Sequence, residues 1–279
     1  MKDKKLIFLL IMLAAILLSA IFAPLIAPYS PYDIDLSNRF APISSSHILG
    51  TDHLGRDVFS RLIYGSRMSL ISVLAIMVII LLISLIIGCA AGFLGGKIDN
   101  VLMRISDVML TFPTFILALF FIGVLGVGLI NVIIAIAFTH LAWYSRIVRS
   151  IVLETKEKNY VLASKCMGTS KLKIIIKHII PQVLSQVGIL ATLDLGHMML
   201  HVAGLSFLGL GVQAPVAEWG VMINDASPFI RQHPELMIYP GLCIFITVAI
   251  FNSLGEYLKD KYRLKEDCNY EESVREPAV

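Results

Sequence analysis

The sequence predicts an all-α polytopic membrane protein with about six transmembrane helices and both termini on the cytoplasmic side. Three observations carry this expectation. Of the 279 residues, 57% are hydrophobic and only 15% charged. A soluble domain of this size carries about a quarter charged residues. The mean hydropathy is +0.81, and the apolar residues fall into segments near the ~20 residues that cross ~30 Å of hydrocarbon. The Lys and Arg residues are also distributed asymmetrically. With a cytoplasmic N-terminus, 18 of the 23 lie in inner segments and five (Arg39, Arg56, Arg61, Arg67 and Arg231) outside, as the positive-inside rule requires.

The segments follow in order. The first span is expected at 6–27, behind the basic start MKDKK. Its apolar run is long for the apolar core of a signal peptide, and a cleavage site before Pro24 is unfavourable, so an uncleaved helix is expected. The second span is expected at about 70–95. The third, at about 108–125, contains Pro113, and a tight turn at Gly126 and Gly128 leads to the fourth at about 128–143. The fifth and sixth are expected at about 182–208 and 236–257. This divides the chain into 1–69 (first helix and outer loop), 70–257 (membrane core with an inner loop at about 144–181) and a charged tail, 258–279, expected to be disordered at its end.

Composition also excludes several functions. A net charge of +3 does not suggest a nucleic-acid partner. The four cysteines, Cys89, Cys166, Cys243 and Cys268, have no paired spacing and are expected as free thiols. No GxxxxGK[ST] phosphate loop occurs. In GFLGGKID (92–99) the first glycine is missing and Ile98 stands where Ser or Thr belongs. The chain is therefore not expected to hydrolyse ATP or to be an enzyme. HMMLH (197–201) lacks the glutamate of a metalloprotease HExxH, and no internal repeat suggests a stand-alone secondary transporter.

The inner loop NYVLASKCMGTSKLKIIIKHIIPQ (159–182) reads as helix, glycine turn, helix. Ala163 and Ser164 are small enough to let another surface approach. Gly168 suits a left-handed helix end, Thr169 or Ser170 can cap the next helix, and Pro181 marks the start of the fifth span. A second cluster lies in TLDLGHMMLHVAGL (192–205), where Asp194, His197 and His201 sit three, four and seven residues apart, on one helical stripe. Ionisable groups in a membrane are costly in lipid, so the stripe should face a partner helix or a wet path. Imidazole is a favoured ligand for late first-row metals. Three readings remain open for the cluster: interhelical hydrogen bonding, a transient pathway contact with His197 and His201 touching metal, and a tight metal site, which would hinder release. His140 reads as a hydrogen-bond partner and His178 as interfacial. Arg56 and Asp57 read as a local ion pair or as a contact for another protein, and Trp219 as an interface anchor. The eleven methionines are dispersed and read as packing.

The loop resembles the "EAA" coupling loop of binding-protein-dependent ABC importer permeases. Tyr160, Ala163, Ser164, Gly168 and Pro181 take the matching positions, while Leu162 replaces the usual glutamate and Ser164 the second alanine. LGTDHLGRDVFSRLIYGSRMSL (49–70), GVGLINVIIAIAF (126–138), WYSRIVRS (143–150), SFLGLGV (206–212) and AEWGVMINDA (217–226) resemble the dipeptide, oligopeptide and nickel branch, nearest its nickel permeases. The resemblance covers roughly residues 30–257. It implies a type I importer permease fold in the cell membrane and cargo of nickel or a nickel chelate, with cobalt chelates, dipeptides or oligopeptides as alternatives. It also implies a second permease subunit, two ATP-binding subunits that use the ATP, an extracytoplasmic binding protein, and no cofactor bound by this chain.

Overall fold

A computed structural model describes the backbone of residues 2–275 and, apart from Lys5, the side chains of residues 4–262. Among the described residues there is no strand, only one isolated bridge between Thr51 and Asp57. The helices are α1 (Lys2–Ile21), α2 (Ala23–Ile26), α3 (Val58–Leu94), α4 (Gly96–Leu110), α5 (Thr114–Leu125), α6 (Leu129–Lys156), α7 (Asn159–Cys166), α8 (Lys171–Ile174), α9 (Ile180–Phe207), α10 (Trp219–Ala226) and α11 (Glu235–Arg275). A π-helical turn, Ile175–Ile179, joins α8 and α9 into one rod, Lys171–Phe207.

Four rods are long and apolar enough to cross a membrane: α3, α6, α8–α9 and the Glu235–Tyr262 part of α11. Shorter apolar α1 and the bent pair α4–α5 supply the other two hydrophobic segments. The third segment is not a single helix over 108–125. It breaks at Thr111–Pro113, and α4 and α5 meet at 94°. Pro113 has no N–H to continue the ladder, and the residue before a proline is held extended. α5, with 12 residues, reaches only ~18 Å. α4 is amphipathic: Ile98, Val101, Ile105 and Val108 are exposed along one side. On the other side, Asp99 takes a bidentate contact from Arg149 (Nη2 to Oδ2 2.6 Å), and Asp107 pairs with Arg146 at 3.0 Å.

The other rods overrun the expected segments. α3 begins at Val58, because Asp57 caps it by accepting the Ser60 N–H at 2.8 Å. At 37 residues it is about 55 Å long. The expected inner loop of 144–181 is mostly helix: α6 runs on to Lys156 and the next rod starts at Lys171. The tail likewise continues α11 to Arg275, while residues 276–279 lie outside the described residues. Cys89, Cys166 and Cys243 are free thiols; the Cys268 side chain lies outside the described ones.

The core is built around the α3–α6 pair, with α9 and α11 packed alongside. Val73, Ile76 and Ile80 of α3 and Val132, Ile136, Tyr144 and Val148 of α6 are buried within it. Gly88 and Gly92, four apart on α3, let the helices approach closely, the small-residue packing that membrane helices use. A Cβ on Gly88 would lie 2.5 Å from the Val148 side chain, and one on Gly92 would lie 2.9 Å from Val152. Gly88→Leu should force the pair apart at a cost of about 1–3 kcal/mol. The expected readout is a lower melting midpoint in detergent, with Gly123→Leu, whose Cβ would meet nothing within 4 Å, close to wild type. Equal melting of both variants would contradict this packing.

Candidate functional site

Three polar constructions stand out against the apolar body. The first ties the segment between α2 and α3, with the first turn of α3, to the segment after α9. Arg56 and Arg61 are each about 1% exposed, so their charges must be matched inside the protein. Arg56 Nε donates to Asp52 at 2.6 Å, and its Nη2 donates to Asp225 at 3.1 Å. Arg61 donates to the Pro31 carbonyl at 3.2 Å and to Asp225 at 3.4 Å. The Arg56–Asp57 ion pair expected from sequence does not form. Asp57 instead caps α3 and accepts from His47 Nδ1 at 2.9 Å. Burial of both residues also removes them from any surface another protein could touch. Trp219 likewise is not an interface anchor: it is 2% exposed and donates Nε1–H to the Leu62 carbonyl at 3.1 Å. Beside it, fully buried Glu218 caps α10, accepting from Val221 N–H (3.0 Å) and Ser69 Oγ–H (2.9 Å). Burial pushes the Glu218 carboxyl above its usual range, partly opposed by these hydrogen bonds.

The second construction is the knob at α7. The chain leaves α6 at Lys156, forms α7, turns at Gly168 with φ +78° and re-enters helix at Lys171. Gly168 is the left-handed position that terminates α7: its N–H donates to the Lys165 carbonyl at 3.0 Å, and the Thr169 N–H donates to the Ser164 carbonyl at 3.1 Å. Ser170 holds the cap position of α8 but makes no side-chain cap bond. Ser164 does not share an outer face with Ala163. It is buried, and its Oγ donates to Thr169 Oγ1 at 3.1 Å, which pins the turn. Ala163 points outward with Tyr160, Leu162 and Met167 around it. Behind the knob lies a cavity of about 470 Å³ lined by Phe93, Lys156, Val161, Lys165 and Lys171 among others. Pro181 sits just inside α9, directly after the π-helical turn. A proline leaves a carbonyl one turn back without its donor, and a local π turn is one way a helix absorbs that change.

The third construction is the stripe on α9. Asp194, His197 and His201 share one side, as their spacing requires, and α6 supplies two partners. Tyr144 donates its hydroxyl to Asp194 Oδ2 at 3.0 Å, and His197 Nδ1–H donates to Asp194 Oδ1 at 3.2 Å. His201 Nδ1–H bonds back to the His197 carbonyl at 2.8 Å. The ring that meets His201 edge-on is His140, with centroids 5.2 Å apart at 83°. The His197 side chain is 66% exposed and Asp194 only 16%. An imidazole so exposed on a spanning helix cannot rest comfortably against lipid. Among the described residues no group of three or more His, Cys, Asp or Glu side chains is gathered closely enough to hold a metal ion. Tyr144 is the residue that sequence reading did not single out. It carried no signal as a lone tyrosine in a span and is identified only by the helix it packs against. His178 is half-buried beside Tyr160, with ring centroids 5.7 Å apart.

Residues 84–264 match the family model described as "Binding-protein-dependent transport system inner membrane component". Residues 1–42 match the "N-terminal TM domain of oligopeptide transport permease C". The chain is 51% identical to the nickel transport system permease protein NikC of Escherichia coli K12, over 90% of this chain and 91% of that protein. It is 40% identical to the metal-staphylopine import system permease protein CntC of Staphylococcus aureus Mu50, over 93% of this chain and 90% of that one. It is 39% identical to the dipeptide transport system permease protein DppC of Alkalihalophilus pseudofirmus, over 93% and 85%.

Proposed function

This chain belongs to the family of binding-protein-dependent transport system inner membrane components, the multi-pass permease subunits of ABC importers, and we propose that its cargo is nickel or a nickel chelate. The observation that carries the proposal is the imidazole and carboxylate stripe on α9, set in a chain 51% identical to a nickel permease. Neutral imidazole is a good ligand for nickel, and a carboxylate that holds the far ring nitrogen keeps the imidazole basic and oriented. A peptide path needs room and groups for peptide termini, which the histidine pair does not specifically predict. The 39% identity to a dipeptide permease supports peptide import as the second reading.

In the proposed division of labour, this chain forms half of the translocation path with a second permease subunit. His197, His201 and Asp194 line that path or its interface and touch the ion transiently. Of the two ATP-binding subunits, which hydrolyse the ATP, one docks on the α7 knob at Tyr160, Ala163 and the Gly168 turn, and the other on the second permease. An extracytoplasmic binding protein delivers cargo to the outer end. ATP-driven closure pushes α7, and the continuous rods α6 and α8–α9 carry that motion across the membrane as rigid-body rocking between outward- and inward-facing states.

Reconstitution of the complete importer into proteoliposomes tests this reading. ATP-dependent uptake of nickel, weaker uptake of cobalt and none of a dipeptide are expected. Dipeptide uptake without metal uptake would replace the nickel reading with the peptide one.

A further inference from the structure

His140 reads from the sequence as a hydrogen-bond partner ahead of a ligand, and its geometry equips it for both roles. Its Nδ1–H donates to the Ile136 carbonyl one turn back on α6 at 3.0 Å. His201 Nδ1–H does the same to the His197 carbonyl on α9 at 2.8 Å. A carbonyl only accepts, and the Thr139 hydroxyl that lies 3.2 Å from His140 Nδ1 gives its own proton to the same Ile136 carbonyl at 2.9 Å, so each Nδ1 carries a proton and each neutral ring keeps its lone pair on Nε2. Two imidazoles with fixed tautomers thus meet edge-on across two helices, 5.2 Å between centroids. Phe115 of α5 is also near His201, its ring centroid 6.2 Å away and tilted by 42°. The same locking repeats one turn along α9, where His197 Nδ1–H is held by Asp194 Oδ1 at 3.2 Å and Tyr144 holds the other carboxylate oxygen at 3.0 Å.

We propose that His140 and His201 form a two-imidazole station for a late first-row divalent cation, bound through the two Nε2 atoms, with His197 and Asp194 as the next station along α9. This rests on the reading of the cargo as a metal. Rings whose Nδ1–H is anchored by an oxygen acceptor are the usual form of metal-binding histidine. Two protein ligands leave the ion's remaining positions to water, a chelator or the partner permease, so the grip stays loose enough for release. His201, His197 and Asp194 are separated by about 6 Å and about 4.5 Å along the helix axis, short steps for an ion that passes from one ring to the next. α6 and α9 each contribute one ligand, so relative motion of these rods makes or breaks the station.

The test is a double-mutant cycle on the intact, purified importer, with Co²⁺ as probe. Its ligand-field absorption and its dissociation constant are measured for wild type, His140→Asn, His201→Asn and both together. Asparagine keeps a donor but no ligand nitrogen. Each single variant should weaken binding by about tenfold or more and alter the absorption bands. The double variant should lose little beyond either single one, because one ion already lacks its pair. Unchanged bands and affinity in His140→Asn, or losses that multiply in the double variant, would overturn the station. Nickel uptake by the wild-type importer is followed in parallel. Metal uptake with no effect of His140→Asn on Co²⁺ binding rejects the station alone, whereas absence of metal uptake rejects the cargo reading on which it rests.

Discussion

Gly168→Asp is expected to impair the coupling between this chain and its ATPase, lowering stimulated ATP hydrolysis and uptake together, without preventing assembly. Gly168 has φ +78°, a region that costs an ordinary residue roughly 1–2 kcal/mol. No atom lies within 4 Å of where its Cβ would stand, so a side chain there breaks no packing. The effect falls on the turn itself, where two backbone hydrogen bonds and the Ser164–Thr169 contact hold α7 at a fixed angle. A strain of 1–2 kcal/mol depopulates that turn by about 5- to 30-fold, and aspartate adds a charge on the surface proposed to meet the ATPase. Substrate-stimulated ATP hydrolysis and uptake should therefore both drop by about tenfold or more. Gly168→Ala, which strains the turn without adding charge, should lie between. Wild-type stimulation of hydrolysis in Gly168→Asp would argue against α7 as the docking element.

Much of this architecture could be read from the residues. Glycine at 168, flanked by a small-residue pair and a capping residue, announced the helix–turn–helix knob. The run of apolar segments marks the membrane body. The missing parts share a cause: they depend on residues far apart in the chain. Pro113 signals a break, but not the 94° angle between α4 and α5 or the pairing of Asp99 and Asp107 of α4 with Arg149 and Arg146 of α6. Arg56 could be paired on paper with its neighbour Asp57. Its actual partners are Asp52, four residues back, and Asp225, 169 residues away in the segment after α9. Trp219 was read as an anchor because tryptophan favours membrane interfaces. Its burial against α3 follows from Gly65, where a Cβ would lie 2.9 Å from the indole.

The α9 stripe shows the same division. Period alone places Asp194, His197 and His201 on one side of a helix, but it does not say what that side meets. The structure supplies Tyr144 and His140 from α6 and leaves His197 open at the surface. Loss of both α9 imidazoles should therefore be severe. His197→Ala removes the ring that Asp194 orients, and His201→Ala removes the one facing His140. If these rings pass the ion along, their joint removal lowers nickel transport by on the order of tenfold or more, the scale on which metal sites respond to loss of an orienting or binding group. If they only join helices, the loss appears as weaker assembly, with transport normal in whatever complex forms.

The decisive measurement is therefore ATP-driven nickel uptake per assembled importer in proteoliposomes carrying the His197→Ala, His201→Ala double variant. An uptake rate lowered tenfold or more, with assembly and basal ATP hydrolysis at wild-type levels, is the expected result. Wild-type uptake kinetics from that variant would contradict the claim that the α9 stripe lines the path of the metal.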